Sequence, residues 1–337
     1  MSKLSGASTN SLPHPPADPP FVKPATKKFI TSLTPPPFIG TAHARHTPHN
    51  HILTVGSYNF NRATTSDFRS HNPPPESTSQ LSDFEQCLHE FFVIHHGNHL
   101  SCQDIEATPT NTRTFLTRKL PKHHVEVNCT GIPLQPSTAL ISTKQHAALV
   151  KTDRKFNGRV TRQTFSVSTD KRPGEPNRLT ILAVYGPATA GRHRDAFWLK
   201  LANYIRNLRA NNHYVIVSGD INLAPTAKDR CTNKTYDNEA FTLKTFLKQT
   251  HLVDSFREMN PHTRAYSYKD VSRIDLILID EKIIQMRALL GARIRSTSSA
   301  SGGTTPDHFL VMADLDANLI FGTLPPPPPV PVGTAVR

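Results

Sequence analysis

The run Val215-Ile216-Val217-Ser218-Gly219-Asp220-Ile221-Asn222 decides how the rest of the chain reads. Its first half is apolar and β-branched without alternation, the pattern of a strand covered on both faces. It then meets a glycine and delivers a carboxylate and an amide, two residues apart, into a turn. Polar side chains at the end of a buried strand leave the sheet at its edge, where they can converge on a cleft. Asp220 is thereby a candidate to deprotonate or orient a water, and Asn222 to hold an oxyanion. The purely structural alternative is an Asx-type turn leading into Pro225.

Working outward, residues 179–185 form a second buried-type strand ending in Gly186-Pro187, and Phe197, Trp198, Leu201, Ile205 and Leu208 recur at helical spacing between the two. Phe241, Leu243, Phe246 and Leu247 mark another helix beyond. On the N-terminal side the chain predicts a strand over 52–58, a helix through Leu81, Phe84, Leu88, Phe91 and Phe92, and a short strand at 100–102. A basic stretch over 113–124 and strand-like runs at 138–142, 147–151 and 160–167 follow. Towards the C-terminus, 266–268, 274–279, 289–294 and 309–315 are strand-like. Runs of strands interrupted by a few helices predict an α/β layered domain with helices covering sheet faces. No internal repeat of solenoid or propeller period is present.

The chain has 337 residues, 29 of them proline, and ten of these prolines fall in residues 1–50 and six in 323–337. Both ends therefore read as disordered, Pro-rich tails, residues 1–50 and 319–337, around a domain over 51–318. Lys and Arg outnumber Asp and Glu by 39 to 26, and little of the excess lies in the tails: between residues 51 and 322 there are 33 basic and 25 acidic residues. A domain that is basic in itself points to a polyanionic partner, most often nucleic acid, although an anionic membrane surface fits the same charge. Cys87, Cys102, Cys129 and Cys231 lack the close spacing of a metal knuckle or redox pair and read as free thiols in a reducing compartment. Neither a signal peptide nor a bilayer-length apolar run is evident, so the expectation is a soluble, intracellular protein with no membrane partner.

Further polar groups stand where strands end. Asn59 and Asn61 follow the strand over 52–58, and Gln103-Asp104 follows 100–102. Tyr185 closes the strand over 179–185, with a phenol that either bonds a phosphate oxygen or caps the core. Ser272-Arg273-Ile274-Asp275 begins one strand and Pro306-Asp307-His308 begins another. A carboxylate set into so apolar a run is costly unless partnered, and His308 is the natural partner for Asp275 to orient and keep cationic. Each of these has a bland reading, as a turn former, a solvated acid or a core tyrosine. His43, His46, His49 and His51 have the spacing of a metal cluster, but they lie at the edge of the Pro-rich tail, which is the stronger reading.

Taken in order, Tyr58-Asn59-Phe60-Asn61, Gln103-Asp104, Val184-Tyr185-Gly186-Pro187, Ser218-Gly219-Asp220-Ile221-Asn222, Ser272-Arg273-Ile274-Asp275 and Asp307-His308 resemble the successive motifs of the endonuclease/exonuclease/phosphatase superfamily. The resemblance spans residues 51–318. Gly219-Asp220-Ile221-Asn222 leading to Asp229-Arg230, Leu252-Val253-Asp254-Ser255-Phe256-Arg257 and Tyr266-Ser267-Tyr268 are similar to the endonuclease domain of LINE-type retrotransposons. The resemblance implies a DNase I-like, four-layer α/β sandwich, two facing mixed β-sheets flanked by helices, that cleaves phosphodiesters with Mg²⁺ or Mn²⁺. Asn59, Asn61, Asp104 and Asp307 are then expected around the metal. Asp220 is expected to activate water, Asn222 and Tyr185 to hold the scissile phosphate, and His308, oriented by Asp275, to stabilise the charge that develops. Oxygen ligands of this kind suit a hard divalent cation. The sequence departs from the family pattern at Asp104, where Glu is usual, at Ala188, where Asn is frequent, and at Pro306, where Ser commonly precedes Asp-His.

The leading expectation is a monomeric, metal-dependent endonuclease that nicks one strand of DNA, with a nuclear location following from that substrate. Two competing readings remain: a superfamily phosphatase acting on inositol polyphosphates or phospholipids, and an inactive nucleic-acid-binding or scaffold remnant of a retroelement. For the scaffold, residues 325–331 offer a polyproline segment to a Pro-rich-motif-binding domain.

Overall fold

The computed structural model describes residues 39–41, 51–63, 83–105, 109–130, 132, 135–167, 175–232, 237–295 and 307–322. Thirteen strands are described among them: β1 Ile39–Thr41, β2 Ile52–Ala63, β3 His99–Ile105, β4 His123–Asn128, β5 Thr138–Thr143, β6 Leu149–Lys155, β7 Val160–Ser166, β8 Arg178–Tyr185, β9 His213–Asp220, β10 Leu252–Asp254, β11 Asp275–Asp280, β12 Leu289–Arg295 and β13 Leu310–Asp316. They form two sheets, ordered β1-β12-β13-β2-β3-β5-β4 and β10-β11-β9-β8-β7-β6. Each is mixed, with one parallel pair at its centre, β2 with β3 and β8 with β9. The helices are α1 Asp83–His89, which continues as a wider turn over Glu90–Ile94, α2 Pro109–Lys119, α3 Arg192–Ala210, α4 Asp237–Thr250, α5 Ser255–Met259, α6 Glu281–Gln285 and α7 Ala317–Phe321.

Strand parity sorts the apolar residues into layers, because successive side chains point to opposite faces. On β9, Tyr214 and Ile216 join Ile181 of β8, Ile277 of β11, and Leu53 and Val55 of β2 in a core between the sheets. Their neighbours Val215 and Val217 face outward with Leu182 and Leu276 against Phe197, Trp198, Leu201 and Ile205 of α3 and Phe246 of α4. Leu100, Cys102 and Ile141 on the outer face of the other sheet pack against Leu88, Phe91, Phe115 and Leu116. The order helices, sheet, sheet, helices is the expected DNase I-like four-layer sandwich of two facing mixed sheets. At about 25 cal/mol per Å² of apolar surface removed from water, these three clusters are its main stabilising term.

Parity also places polar side chains between the sheets. The Ser101 and Ser218 hydroxyls contact one another across the gap, Thr138 meets Thr161 at 2.7 Å, and Asn128 Nδ2 donates to the Val160 carbonyl at 2.8 Å. Gly219 is required by the parallel β8/β9 pairing, since a Cβ there would lie 1.8 Å from the Val184 carbonyl oxygen.

Several local expectations are corrected. The basic stretch over 113–124 is the end of α2 and the start of β4. Helix α2 buries little beyond Phe115, Leu116 and Thr112, so its amphipathic signal is weak. Residues 266–268 are not a strand but one arm of a tight turn, with Tyr268 bridging to Ser272 and to His308. Ordered elements also extend past the expected bounds of 51 and 318: Ile39–Thr41 pairs antiparallel with β12, and α7 packs Ala317, Ile320 and Phe321 into the inter-sheet core. The four cysteines are free thiols, with Cys87 and Cys102 buried. Among the described residues no helix is long and apolar enough to cross a membrane. His43, His46, His49 and residues 325–331 lie outside the described residues.

Candidate active site

Three strands end together. Tyr185 on β8 is in register with Asp220 on β9, and Asp220 with Asp275 on β11. By parity with Tyr214 and Ile216, the Asp220 side chain belongs to the inner face, as does Asn59 by parity with Leu53 and Val55 of the facing sheet. Asn59 Nδ2 donates to Asp220 Oδ2 at 2.8 Å, so the two sheets are joined at this edge by the candidate residues themselves.

Asp220 and Asp275 are 2% and 0% exposed and face each other as antiparallel partners. Two buried carboxylates so placed resist joint ionisation. The structure resolves this with His308, whose Nδ1 lies 2.9 Å from Asp275 Oδ2. Ligand atoms of Asp220, Asp275 and His308 all lie within 4.8 Å of one another. Burial, and then the charge of Asp275, push the Asp220 carboxyl up to about 7, against the opposing effect of His308, the Asn59 amide and the Asn222 N–H. Burial works against the His308 imidazolium, but the Asp275 carboxylate, by charge and hydrogen bond, and then Asp220, raise it to about 9. Near neutral pH the site therefore holds an imidazolium beside a carboxyl group close to its midpoint.

Asn222 has left-handed backbone, φ 55°, its N–H donates to Asp220 Oδ1 at 2.9 Å, and its Nδ2 donates to the Gly186 carbonyl at 3.0 Å. The Asx turn and the close pairing of the two side chains are thus one arrangement. Asn tolerates this backbone region because its short side chain bonds locally. The Gly186 N–H also donates to the Asp220 carbonyl at 2.7 Å, tying the β8 and β9 exits together. Tyr185 is half-buried beneath the guanidinium of Arg159, 5.8 Å from its ring centre, and Arg159 Nη1 donates to the Tyr185 carbonyl at 3.0 Å.

The remaining candidates lie on the facing sheet and its flanks. Gln103 is the register partner of Asn59 and receives the Ser57 hydroxyl at 3.2 Å; Asp104 follows it, half-buried with φ 54°. Asp307 precedes His308, half-buried, with Oδ2 3.0 Å from Lys269 Nζ. The Asn61 side chain lies outside the described residues. Asp104 and Asp307 are not in the group of three close ligand atoms. Within that group Asp275 Oδ1 has no hydrogen-bond partner among the described residues. The amide and carboxylate oxygens that Asn59, Asp104 and Asp307 offer beside it are the donor chemistry of a hard divalent cation.

Two neighbours of the site carry no sequence signal, Arg159 in the turn before β7 and Lys269. Ser267 and Tyr268 were legible only within the fragment Tyr266-Ser267-Tyr268, which reads as strand and belongs to a turn. Tyr268 and His308 rings lie 4.8 Å apart. Arg273 was legible only as part of a motif. It is 1% exposed, donates through Nε to Asp229 at 2.7 Å and grips Asp254 with both terminal nitrogens at 3.1 and 2.6 Å. Burial opposes its charge, and the two carboxylates hold the guanidinium protonated.

No protein-family model matches the chain. The "Transposon TX1 uncharacterized 149 kDa protein" of Xenopus laevis is 32% identical over 111 residues, which are 31% of this chain and 8% of that protein. In structure the chain is similar to an AP endonuclease from Leishmania major, with TM-score 0.63 and 14% identity over 84% of this chain and 93% of that one. It is also similar to a 3′ phosphatase from Neisseria bound to a product DNA hairpin, with TM-score 0.59 and 16% identity over 78% of this chain and 99% of that one. The structural neighbours are AP endonuclease and exonuclease/phosphatase proteins, and the fold is theirs.

Proposed function

We propose that the chain is a divalent-metal-dependent DNA endonuclease of transposable-element type, which nicks one strand by attack of water at phosphorus. The observation that carries this reading is Asp220, held by Asn59 and Asn222, within 4.8 Å of an Asp275–His308 pair.

With its carboxyl at about 7, Asp220 is matched to accept a proton from water near neutral pH. Its two oxygens are fixed by the Asn59 amide and the Asn222 N–H, so the base needs no reorganisation when it acts. His308 spends Nδ1 on Asp275 and keeps Nε2–H for a phosphoryl oxygen, where its charge opposes the negative charge that builds up. Asn222 donates one amide hydrogen to Gly186 and retains the other for the phosphate, with the Tyr185 phenol as a second donor. Asn59, Asn61, Asp104 and Asp307 would hold the cation, Asn59 through its amide oxygen, since its nitrogen donates to Asp220. When bound, a hard divalent cation supplies a Lewis acid for the phosphate.

The basic excess between residues 51 and 322 supports a polyanionic substrate, and the DNA-bound Neisseria neighbour and the transposon relative make DNA the first choice. A monomer working in the nucleus accords with that substrate. The test is relaxation of supercoiled plasmid with Mg²⁺, with and without chelator: wild-type protein no faster than Asp220→Ala ends the proposal. The Neisseria 3′ phosphatase favours one second reading, phosphomonoester hydrolysis, which inorganic phosphate released from a 3′-phosphorylated oligonucleotide or an inositol polyphosphate would reveal.

A further inference from the structure

Residues 266–272 form a short hairpin that touches both halves of the Asp275–His308 pair. Lys269 and Asp270 have φ of 47° and 52°, and Val271 N–H donates to the Tyr268 carbonyl at 2.9 Å, which is a type I′ turn made without glycine. Ser267 lies at its base and is fully buried. Its N–H donates to the Ser272 carbonyl at 2.9 Å, closing the hairpin. The Ser267 hydroxyl oxygen accepts two main-chain hydrogens, from Ile274 at 3.1 Å and from Asp275 at 2.9 Å. The Ser267 carbonyl accepts the N–H of Phe309, the residue after His308, at 2.8 Å.

We infer that Ser267 is the positioning residue of the candidate active site: its hydroxyl fixes the backbone of Asp275 and its carbonyl fixes the backbone beside His308, so that one buried residue sets the separation of the two side chains. The kinetic part of this inference rests on the phosphodiesterase reading; the geometric part does not. The hydroxyl is needed because β11 begins at Asp275, where the chain turns in from the hairpin, so the N–H groups of Ile274 and Asp275 have to be met by a side chain. An alanine leaves two buried donors without this acceptor, a penalty that backbone movement relieves by displacing Asp275. A shift of about 1 Å in a group acting on the reacting centre costs on the order of a hundredfold in rate. Ser267 touches neither Asp220 nor Asn59 through any of these bonds, so the effect falls on the Asp275–His308 pair.

The experiment uses the full chain with Ser267→Ala, Ser267→Cys and Ser267→Thr. Cysteine keeps the volume but offers only a weak acceptor, and threonine restores the oxygen. The first readout is the His308 Nδ1–H proton resonance in ¹⁵N-histidine-labelled protein, which is shifted downfield by its bond to Asp275. The second is nicking with Mg²⁺, with kcat and KM separated. The expected result is loss of the downfield resonance and a fall in kcat of about tenfold or more, with KM for DNA within about twofold, in the alanine and cysteine variants, and recovery of both in the threonine variant. Should alanine not fold, the cysteine variant carries the same comparison. A wild-type resonance in the alanine or cysteine variant overturns the inference. If the wild-type chain fails to nick DNA, the endonuclease reading falls while the resonance still decides the role of Ser267.

Discussion

Asp220 and Asp275 stand directly opposite one another on neighbouring antiparallel strands, and only Asp275 is hydrogen-bonded to the imidazole of His308. That asymmetry separates two otherwise similar buried carboxyls into an anion that orients a cation and a group that exchanges its proton near neutrality. Where environments push neighbouring titratable groups apart in this way, acid and base roles are assigned by geometry.

The rate of nicking should follow a bell-shaped pH profile. Below about 7 Asp220 is protonated and cannot act as base, and above about 9 His308 loses its charge, so kcat/KM is highest between these values. Measured with Mg²⁺ held saturating, His308→Ala should lower the rate by about 10² or more and lose the alkaline limb. An alkaline limb that survives in His308→Ala assigns it to another group.

Asp220→Asn should abolish nicking yet stabilise the fold. The folded carboxyl titrates near 7 against an ordinary value of 3.8, so its contribution to stability is complete below 3.8 and is lost as pH rises to about 7. Urea unfolding at pH 4 and pH 8 should therefore show the asparagine variant gaining on wild type at the higher pH, by about 1 kcal/mol or more. Equal differences at the two pH values contradict the strained carboxyl.

Acid should weaken the fold from the opposite end of the sandwich. Burial lowers His99 to about 3 and His146 to about 4, so both are neutral in the fold, while the unfolded chain binds protons near 6.5. Stability is then complete above 6.5 and falls as pH drops toward 4. Denaturation midpoints recorded across this range should fall less steeply for His99→Phe than for wild type. A parallel slope removes His99 from the account.

Arg273→Met should destabilise by about 3–5 kcal/mol, because it leaves the buried Asp254 without its cationic partner and Asp229 with Arg257 alone. Chemical denaturation reads this directly. Arg273→Lys should recover little, since a single ammonium cannot reproduce the bidentate grip on Asp254 and also reach Asp229.

The metal-ligand expectation is testable through concentration dependence. Asp104→Ala and Asp307→Ala should each raise the Mg²⁺ required for half-maximal nicking by about tenfold, the scale of a lost ligand contribution. Unchanged Mg²⁺ dependence in both removes these two positions from the proposed metal site.

The central strands and their polar ends were legible in sequence because each signal is local. The runs 179–185 and 213–220 carry unbroken apolar character, as strands covered on both faces must. The helical spacing from Phe197 to Leu208 survives in α3, because one face packs on β8 and β9. Helix α2 and strand β4 were not legible, since they are polar and bury few apolar groups. The turn over 268–271 was missed for a different reason: it uses Lys269 and Asp270 in left-handed backbone, where sequence signals rest on Gly and Asn.

By itself the sequence determined which residue types stand at which strand ends, because hydrophobic period and polar punctuation are properties of neighbouring residues. The partnerships were decided only by tertiary structure. Asn59 reaches Asp220 across 161 positions because the two sheets pack face to face, and Ser267 grips Asp275 and Phe309 because a hairpin folds between their strands. No local pattern encodes such contacts, since they arise from how separate strands align once their apolar faces are buried together.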